Sequence, residues 1–243
     1  MEGIEIRGLT KRYKDVTAVD NLNLTVPEGA CLALLGVNGA GKTTAIRMLS
    51  CLTRPTSGDA YLLGHSIVGD PRGVKSVLAV SPQETAVAPN LTVSENLKLI
   101  ARICGSSRQE AARQTEETIA SFGLEPVRGK RAGKLSGGWQ RRLSIAMALI
   151  QRPKILFLDE PTLGLDVLAR RELWTVIRAL RGSVTILLTT HYLEEAVALC
   201  DSIAILNHGR LKALGTEEEL LARTGAHDFE TAFTMLAAEE ETA

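Results

Sequence analysis

Two stretches of the chain carry more chemistry than a folded core requires. The first, Gly36-Val37-Asn38-Gly39-Ala40-Gly41-Lys42-Thr43, spaces glycine, lysine and hydroxyl as G-x-x-x-x-G-K-[ST]. Its glycines let successive backbone N–H groups converge on one anion. Lys42 supplies a cation for β- and γ-phosphates, and the Thr43 hydroxyl is an oxygen ligand for Mg²⁺. Thr44 continues into a helical run whose N-terminal dipole favours the same anion. The second stretch, Phe157-Leu158-Asp159-Glu160, ends an apolar run with adjacent carboxylates, which an interior does not hold without a charge or metal to serve. Asp159 has the chemistry to support the metal. Glu160, facing the other way, is placed to polarise a water in line with the γ-phosphate.

A further anion site is written in Leu135-Ser136-Gly137-Gly138-Trp139-Gln140-Arg141-Arg142, where a serine and two glycines precede a helical run ending near Pro153. With one complete phosphate loop in the chain, this helix start serves either the same nucleotide or one held by another protomer. The plainer alternative is a serine N-cap on a glycine turn.

The elements that must position these groups follow from patterning. Ile4 to Arg7 alternates, as do Leu22, Leu24 and Val26 with Asn23 and Thr25, so the first thirty residues read as antiparallel strands. Residues 31–36, 77–80, 155–158, 184–188 and 203–206 are continuous apolar runs, as in parallel strands covered on both faces. Thr92 with Glu95, Ser107 with Glu110, and Thr216 with Glu219 fit capping boxes at helix starts. Some seventy residues between Val80 and Ile155 show helical periodicity and no strand, too many for one crossover. The expected fold is therefore α/β: a P-loop NTPase core with a parallel sheet, an N-terminal antiparallel β subdomain and an inserted helical subdomain. Residues 1–223 form the domain, with the core in 1–83 and 153–215 and the insertion at about 84–152. Residues 224–243 are read as a short C-terminal tail, a mobile end in preference to a partner-binding helix.

Composition narrows the classes. The 243 residues are 45% hydrophobic, and 28 Lys+Arg balance 28 Asp+Glu, so no basic field exists to coat nucleic acid. No apolar run approaches the roughly 20 residues that span a bilayer as a helix. The N-terminus lacks a secretory signal, and a cytoplasmic protein is expected. Cys31, Cys51, Cys104 and Cys200 are scattered among apolar segments and read as buried small hydrophobes, with neither a zinc site nor a disulfide frame. His65, His208 and His227 read as surface residues.

Taken in order, the phosphate loop, Gln83, Leu135-Ser136-Gly137-Gly138, residues 155–160, Gly164-Leu165-Asp166 and His191 resemble the ATP-binding cassette family, from about Ile4 to Gly215. The resemblance implies two cassettes paired head to tail around two ATP molecules, each between one protomer's phosphate loop and the other's Ser136, Gly137 and Gly138. It implies that Tyr13 stacks on adenine and that Gln83 contacts Mg²⁺ and the attacking water. Asp166 would contact across the dimer, and His191 would hold the γ-phosphate. The implied catalytic set is Glu160, His191, Gln83 and Lys42, and the implied metal set Thr43, Gln83 and Asp159. The sequence departs from the family at Trp139, where glutamine is frequent, and at Val37 and Val167, where proline is frequent. Every position expected to touch phosphate, metal or water is retained, so an active Mg²⁺-dependent ATPase is expected.

The resemblance further implies a separate transmembrane permease as partner, docked near Gln83 and residues 91–97, and a location at the inner face of the cell membrane. The run Pro161 to Asp166, without a C-terminal regulatory domain, looks more like cassettes that export drugs, antibiotics, polysaccharides or lipids than like sugar importers. A soluble cassette acting on ribosomes or nucleic acid is the alternative, disfavoured by the single cassette, the lack of a coiled-coil insertion and the neutral charge. A cassette that binds ATP without turnover is disfavoured by Glu160 and His191.

Overall fold

The computed structural model describes residues 2–238. Its centre is a sheet of β3 (Cys31–Leu35), β6 (Leu78–Ser81), β7 (Ile155–Asp159), β8 (Thr185–Thr190), β9 (Ser202–Asn207) and β10 (Arg210–Gly215), in the order β10-β9-β3-β8-β7-β6. The inner pairings are parallel, and β10 closes one edge antiparallel to β9. This sheet is a wall between two cores, which is why its central strands β3, β7 and β8 are buried at every position and mostly apolar. Cys31, Ala33, Leu35, Leu156 and Leu158 face one core, while Leu32, Leu34, Ile155 and Phe157 face the other. Strand β6 differs: it lies at the edge and is only half-buried over Leu78 to Val80.

The second core is shared with α1 (Lys42–Leu49) and an antiparallel sheet of β1 (Glu2–Tyr13), β2 (Val16–Pro27), β4 (Ser57–Leu62) and β5 (His65–Ser66), ordered β2-β1-β4-β5. Its register sets Ile4 against Val26 and Ile6 against Leu24, so the alternating apolar residues of both strands share the buried face. Strands β4 and β5, and the short α2 (Pro71–Val77) capped by Asp70, extend the antiparallel element beyond the first thirty residues. His65 is half-buried, with Nδ1 2.7 Å from Asp70; His208 and His227 are exposed.

Between β6 and β7 lie α3 (Val93–Ile103), α4 (Arg108–Ser121) and α5 (Gly137–Leu149), with no strand. Thr92 closes a full capping box: the Glu95 N–H donates to its Oγ1 at 3.2 Å, and its own N–H donates to Glu95 Oε2 at 2.8 Å. The Ser107 box is only half made. Ser107 accepts from the Glu110 N–H, but the Glu110 carboxylate is drawn instead to Arg113, one turn on, at 2.6 Å. Past α6 (Val167–Arg178) and α7 (Leu193–Leu199), α8 (Glu217–Thr224) has a complete box on Thr216.

Two expectations are corrected. The C-terminal segment through residue 238 is a packed element, not a mobile end: α9 (Phe229–Ala238) buries Phe229, Ala232 and Leu236, and Asn207 Nδ2 donates to the Ala237 carbonyl at 2.8 Å. The i, i+3, i+7 spacing of those residues is the stripe that docks it against the sheet. The expectation for residues 239–243 falls outside the described residues. The cysteines are not all buried and scattered either. Cys104 is exposed, and Cys31 and Cys200, 169 positions apart, bring their sulfurs to 3.0 Å because β9, which follows Cys200, pairs with β3. Burial pushes the Cys200 thiol up.

Strand order is what assembles the site. Parallel strands β3, β8, β7 and β6 are consecutive neighbours, so the loops after them open at the same edge. The phosphate loop, His191, the acidic pair and Gln83 then stand in a row about 14 Å long, at about 4.8 Å per strand.

Candidate functional site

The phosphate loop is shaped by two glycines that nothing else could replace without movement. At Gly36 a Cβ would stand 2.4 Å from the Leu206 carbonyl oxygen. Gly41 precedes α1 at φ 104°, and a Cβ there would meet the Ala18 carbonyl at 2.4 Å. Together they press the loop against β2 and β9 and start α1 at Lys42. The buried Lys42 ammonium donates to the carbonyls of Gly36 at 2.7 Å and Val37 at 3.3 Å.

Opposite it stands Glu160, whose Oε1 is 3.5 Å from Lys42 Nζ. Its Oε2 is 2.5 Å from His191 Nδ1. One carboxylate thus bridges the two groups that the loop and β8 bring to this edge. Glu160 adopts φ 48°, left-handed for a residue with a side chain, a strain of about 1–3 kcal/mol. It is held there by its N–H, which donates to the Thr189 carbonyl at 3.0 Å and to Thr189 Oγ1 at 3.1 Å. The turn sends the Glu160 side chain away from that of Asp159, which is buried behind it and accepts from Thr189 Oγ1 at 2.5 Å.

A cleft of about 330 Å³ is lined by Ala18, residues 38–44, Gln83, Glu160, Leu163 and His191. It therefore unites the phosphate loop, both candidate γ-phosphate groups, the candidate base and the glutamine. Asp159 is not among its lining residues. Tyr13 ends β1 and pairs with Val16, two positions from Ala18; its ring is exposed, with Lys11 Nζ 5.0 Å above the centroid.

Ser136, Gly137 and Gly138 lie outside this cleft. Ser136 has N-cap geometry on α5, but its hydroxyl makes no capping hydrogen bond and it is exposed, so the plain-cap alternative does not describe it. Gly138 permits the close approach of α5 to α6, since a Cβ there would be 2.9 Å from Ala169 Cβ. Trp139 is half-buried beneath the Arg142 guanidinium, 4.8 Å from its ring centroid, and Gln140 turns back to the Leu135 carbonyl. Asp166 caps α6 by accepting from the Ala169 N–H at 2.9 Å, and Val37 and Val167 are exposed.

Sequence reasoning missed Arg141. Its buried guanidinium donates to the Asp159 and Pro161 carbonyls, each at 2.8 Å, to Gln83 O at 3.3 Å and to Pro82 O. One side chain of α5 thereby ties together the loops that carry Gln83 and the acidic pair. Burial lowers its pKa to about 10, against the opposing pull of Asp159 and Glu195. The signal was readable: Arg141 lies three and four residues before the buried Ser144 and Ile145, a cation on the apolar face of its helix.

Comparison with known proteins places this geometry. A family model described as "ABC transporter" matches residues 19–163. The daunorubicin/doxorubicin resistance ATP-binding protein DrrA of Streptomyces peucetius is 44% identical over 225 residues, covering 92% of this chain and 68% of that protein. Among solved structures, an ATP-binding subunit of an ABC transporter matches with a TM-score of 0.84 at 30% identity, over 96% of this chain and 98% of that one. A dimeric post-hydrolysis ATP-binding cassette bound to ADP and phosphate matches with a TM-score of 0.78 at 26% identity, over 88% and 98%.

Proposed function

The chain belongs to the ABC transporter family and is an ATP-binding, ATP-hydrolysing cassette, and from that premise we propose how its residues divide the work and what they drive. The backbone N–H groups of residues 38–44 and the Lys42 ammonium receive the β- and γ-phosphates. Thr43, Gln83 and Asp159 are a hard-oxygen donor set suited to Mg²⁺, and Thr43 and Gln83 line the cleft. When bound, the metal neutralises charge on the phosphate oxygens. The γ-phosphate competes with the Glu160 carboxylate for Lys42 and His191. Displaced from both, Glu160 is free to take a proton from the attacking water, while His191 holds the phosphate. The observation that carries this reading is the Glu160 carboxylate bridging Lys42 and His191 on the cleft floor.

The likeness to a dimeric cassette supports pairing with a second protomer. The uncapped Ser136 hydroxyl at the start of α5 then serves the partner's nucleotide. Val37 of the phosphate loop, Leu163 and the first two residues of α6, Val167 and Leu168, all exposed and apolar, supply the surface to be covered. Tyr13 stacks on adenine, and Asp166 meets the partner. Among the described residues no helix is long and apolar enough to cross a membrane; in this reading the transport path belongs to a membrane subunit beside which the cassette sits. The resistance function in the name of the Streptomyces relative supports outward transport of a drug-like compound.

The test is co-isolation in detergent with a polytopic membrane protein, followed by ATPase assay of the complex. A membrane protein that changes the rate by several-fold is the expected result. A chain that hydrolyses ATP only as a free dimer, or that sediments with ribosomes, would overturn the transport reading.

A further inference from the structure

Among the described residues, Lys42, Arg141, Asp159, Glu160 and Glu195 are the charged side chains buried below a tenth of their surface. Four of them line the cleft or hold its loops. Glu195 is wholly enclosed on α7, four residues past His191 and one turn further from the phosphate. No described cation comes within ion-pair distance of it. Its one well-formed hydrogen bond comes from α6, where Trp174 Nε1 donates to Oε1 at 3.2 Å. The other oxygen, Oε2, has no partner, and neither does the equally buried Thr162 Oγ1.

Those two orphans belong together. Burial pushes the Glu195 pKa up, with a smaller push from the Glu160 charge, while the hydroxyls of Thr190 and Thr162, together with Trp174, act on the carboxylate as donors and hold it down. A hydroxyl can donate to a carboxylate oxygen, so a small rotation of the Thr162 side chain would give both atoms a partner. The positions matter more than the bond. Thr162 is two residues past Glu160, and Thr190 immediately precedes His191 and accepts from the Tyr192 N–H at 3.0 Å. The carboxyl therefore lies under both turns whose side chains meet at 2.5 Å on the cleft floor.

We propose that Glu195 is a positioning residue for ATP hydrolysis: anchored by Trp174, its buried carboxyl sets the Thr162 and Thr190 turns and through them the placement of Glu160 against His191. The inference rests on the roles proposed above for those two residues. It has a specific signature, because the hydrogen bond of Glu195 runs to Trp174 on α6 and not to the phosphate loop or α1. Losing it leaves ATP binding in place and slows turnover, since a displacement of about 1 Å at reacting groups can cost about 100-fold in rate.

The experiment measures steady-state ATP hydrolysis, ATP affinity and melting temperature on the full chain for wild type, Glu195→Ala, Glu195→Gln and Trp174→Phe, with Glu160→Gln as reference. Expected for Glu195→Ala is a kcat lowered about ten-fold or more with KM for ATP within about two-fold. Glu195→Gln keeps the shape, an acceptor for Trp174 and a donor toward Thr162, and returns kcat to within about three-fold of wild type. Trp174→Phe shows the same kcat-against-KM split at about three-fold. Wild-type kcat in Glu195→Ala, a parallel loss of ATP affinity, or a Gln variant no better than Ala would each overturn the proposal. If Glu195→Ala does not fold, Trp174→Phe decides, with a wild-type kcat counting against it. Absence of turnover in the wild type, or undiminished turnover in Glu160→Gln, would defeat the catalytic reading itself. Normal behaviour of both beside silent Glu195 variants would defeat only this inference.

Discussion

The phosphate loop and the floor of the cleft face each other across a few ångströms and are built by opposite means. The loop is eight consecutive residues whose shape comes from backbone freedom at Gly36 and Gly41 and from close approach to Leu206 and Ala18. The floor is assembled from Gln83, Glu160 and His191, which three different strand ends deliver, with Asp159 buried behind Glu160. It is held from behind by Arg141 and Thr189. A contiguous loop can bind an anion by itself, because its donors are its own amides. A floor of separate loops does chemistry only while the packing beneath it keeps them in register. Binding and turnover should therefore fail separately.

The strongest way to separate them is Glu160→Gln, which is expected to lower kcat by about 10²–10⁴-fold while ATP binding, measured by equilibrium titration, is retained. A variant that turned over at the wild-type rate would remove Glu160 from the role of base. Gly41→Ala is the reverse experiment. The added Cβ must stand where the Ala18 carbonyl is, at a φ that alanine disfavours, so ATP affinity is expected to fall by about 100-fold, equivalent to about 3 kcal/mol of strain. Unchanged affinity would mean that the loop adapts and the contrast is false.

Arg141→Ala tests the support of the floor. It leaves four carbonyls without their donor, and we expect kcat to fall about ten-fold, with destabilisation of about 2–4 kcal/mol in denaturant titration. Arg141→Lys should recover little, because a single ammonium cannot reproduce the guanidinium fork. Ser136→Arg sharpens the comparison across protomers: ATP still binds to the monomer, and turnover stops. Loss of binding in the monomer would place the α5 start in its own cleft. The smallest effect is expected for Thr216→Ala, which removes the cap of α8. It should cost about 1 kcal/mol of stability and leave ATPase activity as it is, a control for damage remote from both regions.

The same contrast governs what could be read in advance. The phosphate loop, the acidic pair and the helix starts at Thr92 and Thr216 were legible because each is a short run whose chemistry is complete in itself. Apolar runs announced the two-faced sheet, since strands between two cores are covered on both faces and read as near-continuous hydrophobic runs. Ser107 shows the limit of a local rule: the box pattern is present, and a competing arginine one turn away takes the carboxylate.

The sequence by itself determined which groups exist: the anion-binding loop, the two carboxylates, the serine and glycines at a helix start, and the histidine. Tertiary structure alone decided which of them meet. Nothing local states that β8 lies between β3 and β7, and that order puts His191 against Glu160. It also decided that Arg141 points inward to four carbonyls, that Glu195 is enclosed where Trp174 donates to it, that Cys31 meets Cys200 and that α9 packs on the sheet. The physical reason is range. Hydrogen bonds within one turn of chain are encoded by residues a few positions apart, whereas contacts between distant segments are selected by burial of the whole apolar surface, to which every strand and helix contributes at once.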